Sequence, residues 1–182
     1  MGKQFRSTTI LGVRRNTTIA LGGDGQVTFG DMALKQKAVK VRKFESDANK
    51  VLGGFAGAAA DDLTLFEKFE QKLDEYGGDP KRSVVELAKE WRTDKYLRHL
   101  DALLALMDKK SSFIVSGDGN VIEPDGPIIA IGSGGGFAHS AATAFLENKK
   151  LKAGEIVKKS LKIASDLCIY TNDTITVIES LV

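Results

Sequence analysis

Cysteine and histidine are almost missing from this chain of 182 residues: one cysteine, Cys168, and two histidines, His99 and His139. One cysteine excludes an internal disulfide, and three such side chains cannot build a zinc cage, so neither staple supports the fold. A reducing, cytoplasmic setting is expected. Proline is scarce too, with three residues, all in expected loops or at a helix start, and no Pro-rich or low-complexity linker divides the chain. No apolar run approaches the roughly 18 residues a membrane helix needs, and Met1 to Ser7 is polar with no signal-peptide h-region behind it. No membrane association is expected. Common catalytic signatures are absent as well: there is no Gly-x-Ser-x-Gly elbow, His-Glu-x-x-His pair or Walker loop. Both histidines read as surface or packing residues, since neither has an evident triad partner.

What is present is the composition of one soluble globular domain, 42% hydrophobic and 27% charged. A chain of this length buries roughly 70% of the surface it exposes when unfolded, enough for a full core. The net charge is +2, but residues 1–43 hold nine Lys/Arg against Asp24 and Asp31, leaving −5 for the remainder. No aromatic residues interleave with these cations as single-strand binders require, so solvated strand lysines are favoured over nucleic-acid binding.

Short β-branched runs separated by glycine turns open the chain: Thr8–Val13, Thr17–Leu21, Gly22-Gly23-Asp24-Gly25 and Val27–Phe29. Ala38–Phe44 and Lys50–Gly57 extend the pattern, with Ser46–Asn49 as a hairpin loop. From Asp61, Leu63, Phe66, Phe69 and Leu73 recur at helical spacing until Gly77-Gly78. A second helical pattern runs from Pro80 to Met107 through Val84, Leu87, Trp91, Leu100, Leu103, Leu104 and Met107. Phe113–Ser116, Val121-Ile122 and Ile128–Gly132 read as strands around the Gly117–Asn120 turn. Helices over 135–147 and 153–167 follow, and a strand over 174–181 closes the chain. Strands and helices come in blocks rather than alternating, which predicts stacked antiparallel sheets with helical layers outside.

Two places could carry chemistry. Gly132-Ser133-Gly134-Gly135-Gly136 lies between a strand and a helix, the setting of a dinucleotide loop. Phe137 stands where that motif needs its last glycine, and no strand with a ribose-binding acid follows. A nucleotide-binding α/β module is therefore the alternative reading; a glycine-rich strand end equally admits a substrate or the chain's own amino end. The other place is the chain's beginning. Release of Met1 to Ser7 would expose a threonine, Thr8, whose α-amine, with an ordinary pKa of about 7.7 to 8.0, can take the proton of its own hydroxyl. A nearby lysine would lower that pKa and favour the ionised oxygen, and a carboxylate would orient the lysine. Lys40 and Asp24 are available for these roles.

Several ordered motifs bring a resemblance to bear: Thr8-Thr9-Ile10, Val13–Asn16, Gly22–Gln26, Lys40–Lys43, Gly54–Gly57, Leu63–Glu67, Glu86–Asp94, Ala130–Gly135 and Ile169–Asn172. Over residues 8–181 the chain resembles the HslV family of proteasome-like peptidases. The resemblance implies an α+β fold, the four-layer αββα sandwich of N-terminal nucleophile hydrolases, in a single domain over 8–182. It implies a threonine endopeptidase with Thr8 as nucleophile, Lys40 as electrostatic partner, Asp24 orienting Lys40, Ser133 as hydrogen-bonding support and the Gly57 amide as oxyanion hole. No cofactor is implied for catalysis. A monovalent cation, sodium, would sit on backbone carbonyls at Ser165, Cys168 and Thr171; Ser165 stands where the family usually has glycine. The implied assembly is a homo-dodecamer of two stacked hexameric rings, activated allosterically by hexamers of the AAA+ ATPase HslU, which deliver unfolded polypeptides. In the family's simplest pattern one methionine precedes the threonine pair; here seven residues do, so cleavage between Ser7 and Thr8, or an alternative start, is expected.

Overall fold

The computed structural model describes residues 8–46, 49–57, 62–95, 97, 100 and 102–181. Residues 1–7, expected to be a leader, and His99 lie outside them, as do two residues of the expected 46–49 loop, whose ends are joined by Ser46 N–H donating to the Asn49 carbonyl at 2.9 Å.

Strand β1 (Thr9–Arg15) turns at Asn16, whose φ of 54° suits a side chain that tolerates left-handed backbone, and returns as β2 (Thr18–Asp24). The hairpin register pairs Arg15 with Thr18 and Ile10 with Gly23, bringing Asp24 beside the start of β1. A ribbon of β3 (Val27–Phe29) and β4 (Met32–Lys35) follows, its second strand exposed along its whole length. Then come β5 (Val41–Glu45) and β6 (Lys50–Ala56), helices α1 (Asp62–Glu75) and α2 (Pro80–Thr93), and strands β7 (Leu103–Met107), β8 (Ser112–Ser116), β9 (Val121–Ile122) and β10 (Ile128–Gly132). Helices α3 (Gly135–Leu146) and α4 (Ala153–Leu167) and strand β11 (Ile175–Leu181) complete the order.

The larger strands form two antiparallel sheets, β10-β1-β2-β11 and β5-β6-β7-β8-β9. Three apolar clusters bind four layers together. Ile10, Ile19, Leu21, Ile129 and Ile131 of the first sheet meet Val41, Leu52, Ala105 and Met107 of the second. Leu11, Val13 and Ala20, on the opposite face of their sheet, pack on Ile156, Val157, Leu161 and Ala164 of α4. Phe44, Phe55, Leu104 and Phe113 likewise pack on Phe69, Leu87 and Trp91 of α1 and α2. This is the αββα sandwich that the block order of elements anticipates. A strand buried on both faces reads as a continuous apolar run, which is why β1 alternates so little.

One expectation is corrected. The single helix expected over 80–107 ends at Thr93, where Asp94 is extended (φ −71°, ψ 133°), and Leu103–Met107 is a central strand between β6 and β7's other neighbour, β8. Leu104 and Leu106 face the helices while Ala105 and Met107 face the other sheet. An apolar pentapeptide fits a buried helix turn or a buried strand equally in pattern, and here sheet pairing decides. Smaller departures are the start of β5 at Val41 rather than Ala38 and the unanticipated strand β4.

Helix α2 begins at an Asp79 cap whose carboxylate accepts from Lys81 N–H and Arg82 N–H, with Pro80 supplying a position that needs no donor. Asp79→Ala should cost about 1 kcal/mol in denaturant unfolding. Among the described residues no helix is long and apolar enough to cross a membrane.

Candidate active site

The edge where β1 begins, β2 ends and β10 ends gathers the buried polar residues Thr8, Thr9, Asp24, Gln26, Lys40 and Thr171. Asp24, the last residue of β2, has no exposed surface. Its Oδ1 accepts from Thr9 N–H at 2.7 Å and from Lys40 Nζ at 3.2 Å; its Oδ2 accepts from Gln26 N–H at 2.9 Å and Asn172 N–H at 3.4 Å. Lys40, 4% exposed, also donates to the Gln26 carbonyl. A buried charge pair repays its desolvation only when remaining donors and acceptors are met in this way. Lys40 is thus not a solvated strand lysine: it precedes β5, where its carbonyl accepts from Phe55 N–H, and its ammonium group points at Asp24.

Thr8 stands immediately before β1, 1% exposed, with a φ of 109°. Positive φ in a β-branched residue stores strain of roughly 1–3 kcal/mol, a device found where geometry is held for function. What holds it is the β10 end. The Thr8 carbonyl accepts from Ser133 N–H at 3.0 Å, and a Cβ on Gly132 would come within 1.9 Å of the same oxygen. Gly132 itself has a φ of 89°, so glycine is required there twice over. Gly132→Ala should therefore lower both turnover and stability, by about 1–3 kcal/mol for the latter, because the obstructing atom is backbone and cannot rotate away.

The other expected residues fall around this centre in different ways. Ser133 contributes its backbone N–H, while its side chain is exposed. Gly57 follows Ala56 at the end of β6, and the Ala56 Cβ lies 3.4 Å from where a Cβ on Gly132 would be. Ser165 is in the last turn of α4, Cys168 caps that helix, and Thr171 N–H donates to the Cys168 carbonyl at 3.0 Å. Thr171 reaches the centre through its side chain, as Thr171 Oγ1 and Thr9 Oγ1 are 2.7 Å apart. His139 lies exposed on α3.

Sequence reasoning did not assign Thr9, Gln26 or Asn172 to the site. Gln26 Nε2 donates to the Ile169 carbonyl, and Asn172 Oδ1 accepts from Gly25 N–H while its Nδ2 donates to Gln36. These bonds tie the turn after Asp24 to the segment after α4. Their sequence signal was the inclusion of all three residues in motifs shared with known peptidases, which carried no side-chain roles.

This combination of fold and buried polar edge agrees with comparison to known proteins. The proteasome subunit family matches residues 5–179. The chain belongs to that family. Among solved proteasome-like structures, the eukaryotic HslV from Trypanosoma brucei is 42% identical, with 94% of this chain and 98% of that one covered and a TM-score of 0.86. Within the proteasome family the chain is accordingly an HslV-type subunit. BPH from Thiobacillus denitrificans, solved alone and in complex with epoxomicin, superposes with a TM-score of 0.73 at 18% identity, a likeness of fold. A proteasome-like fold of this type makes the chain a peptidase subunit, an N-terminal nucleophile hydrolase.

Proposed function

We propose that this subunit is a threonine endopeptidase in which Thr8, freed of residues 1–7, supplies both nucleophile and base. The observation that carries this reading is the strained, buried Thr8 at the edge where the Lys40–Asp24 pair is enclosed. The Thr8 amine takes the proton of Oγ, and Oγ attacks the substrate carbonyl carbon, forming a C–O bond. The oxyanion is received by the Gly57 N–H, and the Lys40 ammonium, oriented by Asp24, favours the ionised Thr8 oxygen and the neutral amine. Collapse breaks the C–N bond; the leaving amine takes the proton held by the Thr8 amine. Water, deprotonated by that amine, then hydrolyses the Thr8 ester and restores the hydroxyl.

Removal of the leader uses the same nucleophile but not the same base, because the Thr8 nitrogen is an amide until the Ser7–Thr8 bond breaks; the Oγ proton ends on that nitrogen. Thr8 Oγ attacks the Ser7 carbonyl carbon, the acyl group moves from nitrogen to oxygen, and water hydrolyses the ester, leaving residues 1–7 as a carboxylate and Thr8 with a free amine. Ser133 supports the nucleophile by fixing its carbonyl.

The reading includes a monovalent cation on backbone carbonyls at the end of α4. A helix C-terminus carries partial negative charge, and carbonyl oxygen is a hard ligand. The carbonyls of Ser165, Cys168 and Thr171 would hold sodium, whose charge would brace the segment that touches Asp24 and Thr9; the cleavage steps do not pass through it.

The proposed assembly is two stacked hexameric rings, with HslU hexamers feeding unfolded polypeptide, in the cytoplasm. Exposed apolar side chains support contacts between chains: Met32 and Leu34 on the β3–β4 ribbon, and Leu167 and Ile169 after α4. The nucleotide-binding alternative loses ground, because Ser133 N–H and Gly134 N–H bind Thr8 and Thr9 instead of facing an open anion site. Cleavage of an unstructured peptide by purified wild-type protein, lost in Thr8→Ala, tests the reading.

A further inference from the structure

Thr9 is a second buried threonine beside the nucleophile, and its contacts go beyond those of a strand residue. Its backbone N–H donates to Asp24 Oδ1 at 2.7 Å. Its Oγ1 accepts from Gly134 N–H at 2.9 Å and shares a hydrogen bond with Thr171 Oγ1 at 2.7 Å. The side chain has no exposed surface. Gly134 caps α3, and a Cβ there would fall 2.3 Å from Thr9 Oγ1 and 2.7 Å from Thr171 Oγ1, so the three groups close on one another without spare room.

We propose that Thr9 is the positioning residue for Thr8: its hydroxyl, clamped between the Gly134 N–H and the Thr171 hydroxyl, fixes the peptide that follows the nucleophile. The inference rests on Thr8 being the nucleophile. Thr8 is joined to the fold through the 8–9 peptide. Its carbonyl end is held by Ser133 N–H and the next N–H by Asp24, and pairing with Gly132 in the β1–β10 ladder holds the Thr9 backbone, but none of these fixes the Thr9 side chain. The Oγ1 clamp does so by tying Thr9 to α3 and to the segment after α4, elements 125 and 162 residues away. A nucleophile displaced by about 1 Å loses on the order of 100-fold in rate, whereas substrate binding along the rest of the site need not change. Thr9→Val keeps the shape and strips the hydroxyl, leaving a buried N–H and a buried hydroxyl without their partner.

The test is steady-state cleavage of a fluorogenic peptide by Thr9→Val and Thr9→Ser, each with Thr8 as its first residue by mass spectrometry, with thermal unfolding measured on each. Thr9→Val should lose about 10- to 100-fold in kcat with KM within about twofold of wild type, and Thr9→Ser should recover kcat to within about threefold. A folded Thr9→Val with wild-type kcat overturns the proposal, as does a Thr9→Ser as slow as Thr9→Val, which would assign the effect to the methyl group. If Thr9→Val does not fold, Thr171→Val removes the clamp from its other side. The same kcat-only loss is then expected, and wild-type kcat overturns the proposal. These outcomes are separate from failure of the nucleophile assignment, which an active Thr8→Ala would reveal.

Discussion

Thr8→Ala is expected to abolish peptide cleavage, by on the order of 10⁴-fold or more, while leaving the protein folded with a melting temperature within about 5 °C of wild type. The two halves of this expectation have different causes. Without Oγ there is no atom to form the acyl-enzyme, and among the described residues His139 is exposed on α3 and Cys168 caps α4, neither placed to substitute. The fold persists because Thr8 precedes β1 and is anchored chiefly through its carbonyl, which alanine keeps. Alanine is not β-branched but still carries a Cβ, so it relieves at most part of the strain of the positive φ, and neither large gain nor large loss of stability follows. Leader removal should fail too, since the same hydroxyl is needed to attack the Ser7 carbonyl. Purified, folded Thr8→Ala that turns over peptide contradicts the assignment.

The largest stability effect should come from Asp24→Ala. The substitution removes the Asp24 carboxylate from the Lys40 ammonium, 4% exposed, and strips an acceptor from Thr9 N–H and Gln26 N–H. Breaking a buried pair from one side costs about 3–5 kcal/mol, equivalent to a fall of roughly 10 °C in melting temperature for a domain of this size. Lys40→Met is the informative contrast. The Asp24 carboxylate would still accept from Thr9, Gln26 and Asn172 N–H groups, so the folded state should lose less than in Asp24→Ala. Turnover should nevertheless fall to background, because the positive charge favouring ionised Thr8 is gone. Thermal unfolding and peptidase assays on both variants decide: Lys40→Met with wild-type turnover removes Lys40 from the chemistry, and Asp24→Ala as stable as wild type denies the buried pair its structural role.

How far this centre was legible in the sequence depends on the range of each interaction. Asp24 and Lys40 stand within strand-and-turn patterns, so local reading offered them only as available groups and the family resemblance gave them their roles; hairpin pairing of β1 with β2 is what brings Asp24 to Thr9. The block order of strands and helices was sufficient for the layered sandwich. Leu103–Met107 was misread because five consecutive apolar residues have no period to distinguish strand from helix, and only their neighbours in the sheet make the choice. Thr9 and Thr171 meet across a separation of 162 residues, and no local rule pairs them. Asn172 was invisible for a related reason: a polar residue in a loop between α4 and β11 reads as solvated until the turn after Asp24 is folded against it. Ser133 was named through the resemblance as a hydrogen-bonding support, with no atom assigned; the bond it makes to Thr8 is through its backbone N–H, a donor every non-proline residue has.

The central claim, that Thr8 acts with a free amine, is tested most directly by mass spectrometry of active protein treated with an epoxyketone, an electrophile that can bond both Oγ and the α-amine of an amino-terminal threonine. The expected result is a chain beginning at Thr8, with one adduct per subunit mapped to Thr8 and peptidase activity lost in proportion. Full activity in a chain that retains residues 1–7, or inactivation with the adduct on another residue, would contradict the account.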